Sequence, residues 1–305
     1  MTKGEITMEL RKHNRYDYVP LPDRPDFTWP GGKRLALCLC NNLEVFSYRD
    51  GLGSDSAVLT APQTHRNYAW RDYGNRVGQW YLFDLLDELG LPASHNTNSR
   101  LLRDCPQILD RIRARGDEIV GHGRSNGERQ DNLSEADERT LIQEATDEIR
   151  ALAGAAPKGW MGPYFAQSEV TLDLLAEAGY DYMLDWPLDD QPVWMKTRSG
   201  PILSVPYSVE LNDSPSMVFR QESAMSFERM ITDQFDEMLH QSAKYPLVFT
   251  VITHPFIIGH PYRLRALRRA LGHVLAHRDD LWITTVGGVA DYIKGLPPGT
   301  VPMPG

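Results

Sequence analysis

The sequence is short of cysteine, of positive charge and of long apolar runs, and each shortage removes a class of protein. Its three cysteines, Cys38, Cys40 and Cys105, are too few for the disulfide framework of a small secreted scaffold. No second Cys/His cluster completes a zinc pattern around them. Cys38 and Cys40 alternate inside an apolar run, which puts both on one face of a strand as small packing thiols. Lys and Arg number 32 against 41 Asp and Glu, a formal charge of −9, whereas nucleic-acid and anionic-membrane surfaces need a basic patch to neutralise phosphates. The one basic run, Arg263, Arg265, Arg268 and Arg269, has helical spacing and apolar partners, and reads as the solvated face of a helix. No stretch is long enough to span a bilayer. Met1–Tyr18 is polar and charged and lacks the apolar segment of a secretory signal, so the expected compartment is the cytoplasm. No Gly-x-Gly-x-x-Gly follows a strand and no Walker loop occurs, which sets aside dinucleotide and P-loop nucleotide binding.

What is present is ordinary globular material. The 305 residues are 41% hydrophobic and 24% charged, enough for a substantial core in one large α/β domain or two small ones. Residues 1–33 read as an extended arm, because Pro20, Pro22, Pro25 and Pro30 and the pair Gly31-Gly32 break regular structure. Such an arm wraps either its own domain or a neighbouring subunit. Residues 34–305 show no break and read as one domain. Arg34–Asn41 is a buried strand, and residues 47–73 are a long irregular stretch of the kind that covers active sites. The rhythm then becomes regular. Strands at 92–97, 118–120, near Gly159, near Tyr182, and at 202–206, 247–252 and 281–284 are separated by helices. The helices fall at 75–89, 105–115, 134–153, 168–178, 226–243, 263–276 and 287–294. Gly90 and Gly116 end the first two, and Ser134 with Asp137 starts the third. Strand–helix alternation of this kind means parallel pairing through crossover helices. A closed or nearly closed barrel is the simplest packing, and a doubly wound open sheet is the alternative.

In parallel barrels chemistry gathers at the C-terminal strand ends. Asn42 and Glu44 follow the first strand, and His95, Asn96 and Asn98 belong to the second strand end. His122-Gly123-Arg124-Ser125-Asn126 follows the third. Gly162-Pro163-Tyr164, Asp185-Trp186-Pro187 and Thr253-His254-Pro255 follow later ones. Singly, each has an ordinary structural reading: a surface carboxylate, a turn histidine, a capping aspartate, an aromatic wall. Together they point to one polar rim, with His122 and His254 its leading pair.

At these residues the chain resembles the polysaccharide-deacetylase (NodB-homology) superfamily, and in particular its branch with metal-independent allantoinase and cyclic imide hydrolase. The opening Phe27-Thr28-Trp29-Pro30-Gly31-Gly32-Lys33-Arg34 and a strand ending in Asn-x-Glu look like that branch. Gly121-His122-Gly123, Gly162-Pro163-Tyr164 and Ile252-Thr253-His254 resemble the superfamily's second, third and fifth motifs. The likeness runs from about residue 15 to 294. It implies a distorted (β/α)7 barrel. It also exposes departures. Metal-dependent members have an aspartate pair where this chain has Glu44-Val45, and a second histidine where it has Asn126. Met161 replaces their third-motif arginine. Valine cannot ligate a metal, and an amide is a poor replacement for imidazole. Only Glu44, His122 and Asn126 are left to hold zinc, and the resemblance to the metal-free branch implies a reaction without it.

The expected activity is hydrolysis of a non-peptide C–N bond in a small amide, cyclic imide or ureide. Glu44 is the expected base, with its pKa lifted toward neutrality by burial, and His254 is the expected acid, as the resemblance implies. His122 and Asn126 are expected to polarise the carbonyl, and Asp185 to orient a histidine. Asn42, His95, Tyr164, Trp186 and Glu210 are further candidates for binding or orienting the substrate. The segment 206–213 reads either as pocket lining, with Glu210 and Asn212 as polar contacts, or as a surface strand and turn or an interface, the plainer reading being slightly favoured. The expected partners are a small-molecule substrate and further copies of the chain, not nucleic acid or membrane. Two rivals stay open: a metal-dependent polysaccharide or peptidoglycan deacetylase, and an inactive relative that binds a small ligand.

Overall fold

A computed structural model describes residues 10–49 and 63–304. Its strands are β1 (Leu35–Leu43), β2 (Ser94–Thr97), β3 (Glu118–Gly121), β4 (Gly159–Trp160), β5 (Tyr182–Met183), β6 (Val193–Met195), β7 (Ile202–Ser204), β8 (Leu247–Thr253) and β9 (Leu281–Ile283). Every residue of β1 is buried, and its alternation divides the core. Leu35, Leu37 and Leu39 pack outward with helix residues such as Phe227, Ile231, Phe235, Leu267 and Leu271. Ala36, Cys38 and Cys40 pack inward with Tyr182, Leu203, Tyr207, Val248 and Ile252. Burial on both faces is why this strand reads as a continuous apolar run rather than an alternating one.

The strands curl in the order β8-β1-β2-β3-β4-β5-β7-β6, and every pairing in this order is parallel except β6 with β7. One edge of β1 pairs with β8 from Leu35 to Asn41. Its other edge is shared, with β9 on Leu35–Leu37 and β2 from Cys40 onward. The open side between β6 and β8, the two ends of this order, is bridged in part by the chain that follows β7. Ser208 N–H donates to Thr250 Oγ1 at 2.9 Å, and Ile252 N–H donates to the Leu211 carbonyl at 2.9 Å. The result is the distorted α/β barrel expected from the sequence, nearly closed rather than an open doubly wound sheet.

Residues 10–33 lie against their own barrel. Arg15 forks onto Asp173 with two 2.8 Å bonds, and Arg24 forks onto Asp189 at 2.7 and 2.6 Å. Trp29 is fully buried and stacks on Trp282 with centroids 5.5 Å apart. On the helix Pro261–Leu275, Arg265 and Arg269 are exposed while Leu264, Leu267 and Leu271 are buried, so the basic run lies on the solvent-facing side. Among the described residues no helix is long and apolar enough to cross a membrane.

Three elements differ from expectation. The short antiparallel strand β6 has no helical crossover before β7 and is invisible to a βα rhythm. Helix Ser99–Asp104 precedes Pro106–Arg115 as a separate piece. The stretch read as irregular from 47 to 73 holds a helix, His65–Tyr73, capped by Thr64 Oγ1 accepting from Asn67 N–H at 3.1 Å. Of its residues, Trp70 and Arg71 line the cavity described below, and Trp70 also packs against the core. The remainder of that stretch, 50–62, lies outside the described residues, and with it any role as a roof.

Candidate active site

The ends of β1, β3 and β8 bring Glu44, His122 and His254 together. Glu44 Oε1 lies 3.6 Å from His122 Nε2 and 3.5 Å from His254 Nε2, so one carboxylate sits between two imidazoles. All three residues are buried. They line a cavity of about 320 Å³ whose other walls include Asn42, Asn126, Asn212 and a ring of aromatic side chains, Phe46, Trp70, Tyr164, Phe165, Phe219 and Phe256.

Each member of the trio is held from behind. His122 Nδ1 meets the Met161 carbonyl, which can only accept, so Nδ1 carries a hydrogen and Nε2 is the nitrogen turned to the cavity and Glu44. That Nε2 is buried and has no hydrogen-bond partner among the described residues. His254 is gripped by Asp213: Nδ1 is 2.6 Å from Asp213 Oδ1, and its backbone N–H donates to Oδ2 at 2.8 Å. Burial pushes the His254 pKa down, but Asp213 and Glu44 outweigh it and raise the ring to about 10. Burial pushes the Glu44 carboxyl up, yet His254 and His122 together bring it down to about 2. Burial alone, the basis of the expectation that Glu44 titrates near neutrality, loses to two facing imidazoles.

Asn98 ties the rim together. Its Oδ1 accepts from Val45 N–H at 2.9 Å, and its Nδ2 donates to Asn126 Oδ1 at 2.9 Å and to the His122 carbonyl. Beneath the site Asn42 bonds to Tyr207 Oη at 2.9 Å and accepts from Asn96 at 3.0 Å. At the mouth, Tyr164 Oη donates to the Asn126 carbonyl at 2.9 Å. Tyr164 and Phe165 both take positive φ, 64° and 56°, a strained conformation for bulky residues and one that is concentrated at functional sites.

Four expected site residues lie elsewhere. His95 is sealed inside the packing, with Nε2 3.1 Å from Asp117 and Nδ1 3.1 Å from Asn41. Asp185 orients no histidine. It accepts from Gly162 N–H at 2.6 Å, and burial lifts its pKa to about 8 against that bond. Trp186 donates to Gln167 Oε1 at 2.7 Å and faces the N-terminal arm. Glu210 is an exposed partner of Arg220 at 2.7 Å. The histidine orienter is Asp213, three residues beyond Glu210. Asn98 belongs to the second strand end named from the sequence, whereas Asp213 and the buried Arg71 are not among the expected site residues. A polar pair Asn212-Asp213 inside a segment that must close a barrel is a usable signal for Asp213, and none exists for Arg71.

The donor set does not fit the divalent ion of metal-dependent relatives. Val45 offers no donor and packs toward Leu43 and Phe83. Asn126 Oδ1 is occupied by Asn98, and His254 Nδ1 by Asp213. Among the described residues no group of three or more His, Cys, Asp or Glu is arranged to hold a metal.

A family model described as polysaccharide deacetylase matches residues 70–183. A peptidoglycan deacetylase of Helicobacter pylori is 24% identical over 258 residues, covering 74% of this chain and 87% of its own. Among solved structures, the allantoinase Puue superposes with a TM-score of 0.82 at 26% identity, covering 92% of this chain and 95% of its own. A probable polysaccharide deacetylase from Pseudomonas aeruginosa PAO1 superposes with a TM-score of 0.81 at 26% identity, covering 88% of this chain and 94% of its own.

Proposed function

We propose that this chain, which is similar to polysaccharide deacetylases over residues 70–183 and superposes on an allantoinase, hydrolyses a non-peptide C–N bond in a small amide, cyclic imide or ureide without a metal. The observation that carries this reading is Glu44 lodged between His122 Nε2 and His254 Nε2 at 3.6 and 3.5 Å, where valine and asparagine stand in place of metal ligands. The cavity supports a compact substrate. At about 320 Å³ with aromatic walls, it suits a small flat molecule better than a polymer groove.

The roles follow from protonation. At neutral pH Glu44 is ionised and His254 is a cation; His122, with Nδ1–H held on the Met161 carbonyl, is the acceptor at Nε2 in its neutral form. Water adds to the carbonyl carbon as its proton passes to His122 Nε2, and Glu44 stabilises the imidazolium formed. This moves the base from Glu44, whose low pKa makes it a weak proton acceptor, to His122. The side-chain NH2 of Asn126, left over once its oxygen is taken by Asn98, is the donor assigned to the developing oxyanion. The C–N bond then breaks as His254 gives its Nε2 proton to the departing nitrogen, with Asp213 holding the ring in place.

A second reading, a metal-dependent deacetylase, is favoured by one observation. A buried imidazole whose Nδ1–H is fixed on a carbonyl and whose Nε2 is unpartnered is how a metal-binding histidine is prepared. Turnover of a panel of cyclic imides, ureides and N-acetyl sugars, each with and without a chelator, decides between them. Chelator-resistant turnover of a ring amide supports the first reading. Chelator-sensitive release of acetate from the sugars replaces it with the second, and no turnover of any compound favours an inactive ligand-binding relative.

A further inference from the structure

Arg71, on helix His65–Tyr73, is inside the wall of the same cavity and only 8% exposed. Its Nε and Nη1 are buried and donate to no atom of the described residues. Its close neighbour is the ring of Phe46, with Cζ 3.7 Å from the centroid. The nearby carboxylates of the site are engaged elsewhere, Glu44 with both imidazoles and Asp213 with His254. Phe46 accounts for the face of the guanidinium but not for its edge, where all of its N–H bonds lie. A buried guanidinium with unmet donors is costly, and a planar two-oxygen anion is the ligand that satisfies it best.

We propose that Arg71 anchors a carboxylate carried by the substrate, away from the bond that is cut, so that the site takes small amides or ring amides that bear an acid group. The aromatic walls hold the flat body of the molecule, the Glu44–His122–His254 end receives the scissile carbonyl, and Arg71 fixes which end goes where. The inference deepens the hydrolase reading and rests on it only for the choice of scissile bond.

Binding tests it without turnover. Calorimetric titration with benzoate and with benzamide, flat probes that differ in charge, is run on the wild type, Arg71→Gln and Arg71→Lys, with thermal melting as the check on folding. The wild type is expected to prefer benzoate by about tenfold or more, the scale of one charged hydrogen bond. Arg71→Gln is expected to lose that preference while binding benzamide as before. Arg71→Lys, which keeps the charge without the planar fork, is expected to fall between them and serves alone if the glutamine variant does not fold. Equal wild-type affinity for the two probes, binding of neither up to about 10 mM, or a preference that survives substitution would overturn the proposal. If benzoate is preferred through Arg71 but no amide is hydrolysed, the hydrolase reading fails and the anchor stands. If ring amides are turned over and benzoate gains nothing, only the anchor is lost.

Discussion

Asp213 holds His254 by both of its oxygens, Oδ1 on the ring Nδ1 at 2.6 Å and Oδ2 on the backbone N–H at 2.8 Å. The first bond fixes the charge of the imidazole and the second fixes where it stands. A histidine tied in this way keeps its Nε2–H aimed at Glu44 and the cavity.

The pH dependence follows from that tie. Asp213 and Glu44 raise the His254 pKa to about 10, so the acid form is present at neutral pH and is lost as pH rises through that value. Activity that needs this proton is expected to have an alkaline limb near pH 10. Asp213→Asn removes a facing negative charge, which lowers the His254 pKa and moves the limb to lower pH by about 1–3 units. A pH–rate profile of kcat for both proteins checks it. An unmoved limb would mean that His254 does not supply the proton.

Removal of either imidazole tests the trio directly. His122→Ala and His254→Ala are each expected to lower kcat by about 10²-fold or more while the melting temperature shows a folded protein. Glu44→Gln is expected to lose activity and also to shift the alkaline limb downward, because Glu44 is the second anion that raises His254. Full activity in a folded variant removes that residue from the mechanism.

Much of this was legible in the sequence, and the parts that were not share a physical cause. The succession of strands and helices and the rim at the strand ends follow from apolar runs and glycine stops, which are local signals. Glu44, His122 and His254 each follow a strand directly, so their convergence could be read from position. His95 was misplaced because strand ends pleat. It pairs with Asn41 in register and points to the outer packing, whereas its neighbour Asn96 points inward to Asn42. Asp185 and Trp186 also follow a strand, but they turn to the seam with the N-terminal arm. Asp213 and Arg71 enter the site from segments without strand or apolar periodicity; the polar pair Asn212-Asp213 marks the first, and only the folded chain reveals the second.

The metal question has its own expected outcome. With Val45 and Asn126 at positions where donors are needed, incubation with a chelator is expected to leave activity unchanged, and calorimetry with zinc is expected to show no tight binding. The double variant Val45→Asp with Asn126→His supplies a carboxylate and an imidazole beside His122, and is expected to gain zinc affinity. Zinc bound as tightly by the wild type as by the double variant would contradict the metal-free reading.

The site also depends on a close packing that no polar residue advertises. Helix His65–Tyr73 continues through a π-turn, Gly74–Gly78, into helix Gln79–Leu89, and this turn lies directly on the segment that follows His254. A Cβ at Gly78 would stand 2.2 Å from the Pro255 carbonyl oxygen, and one at Gly74 would stand 2.7 Å from Phe256 N. Both obstacles are backbone atoms, which cannot rotate away. Gly78→Ala is therefore expected to push the two segments apart, destabilising the fold by about 1–3 kcal/mol, the usual cost of overpacking. The same displacement moves Arg71 and Trp70 on one side and His254 on the other, so activity should fall further than the loss of folded protein explains. Denaturant unfolding alongside kcat measured well below the melting temperature separates the two effects. A variant that is destabilised but fully active once folded would show that the site tolerates this shift.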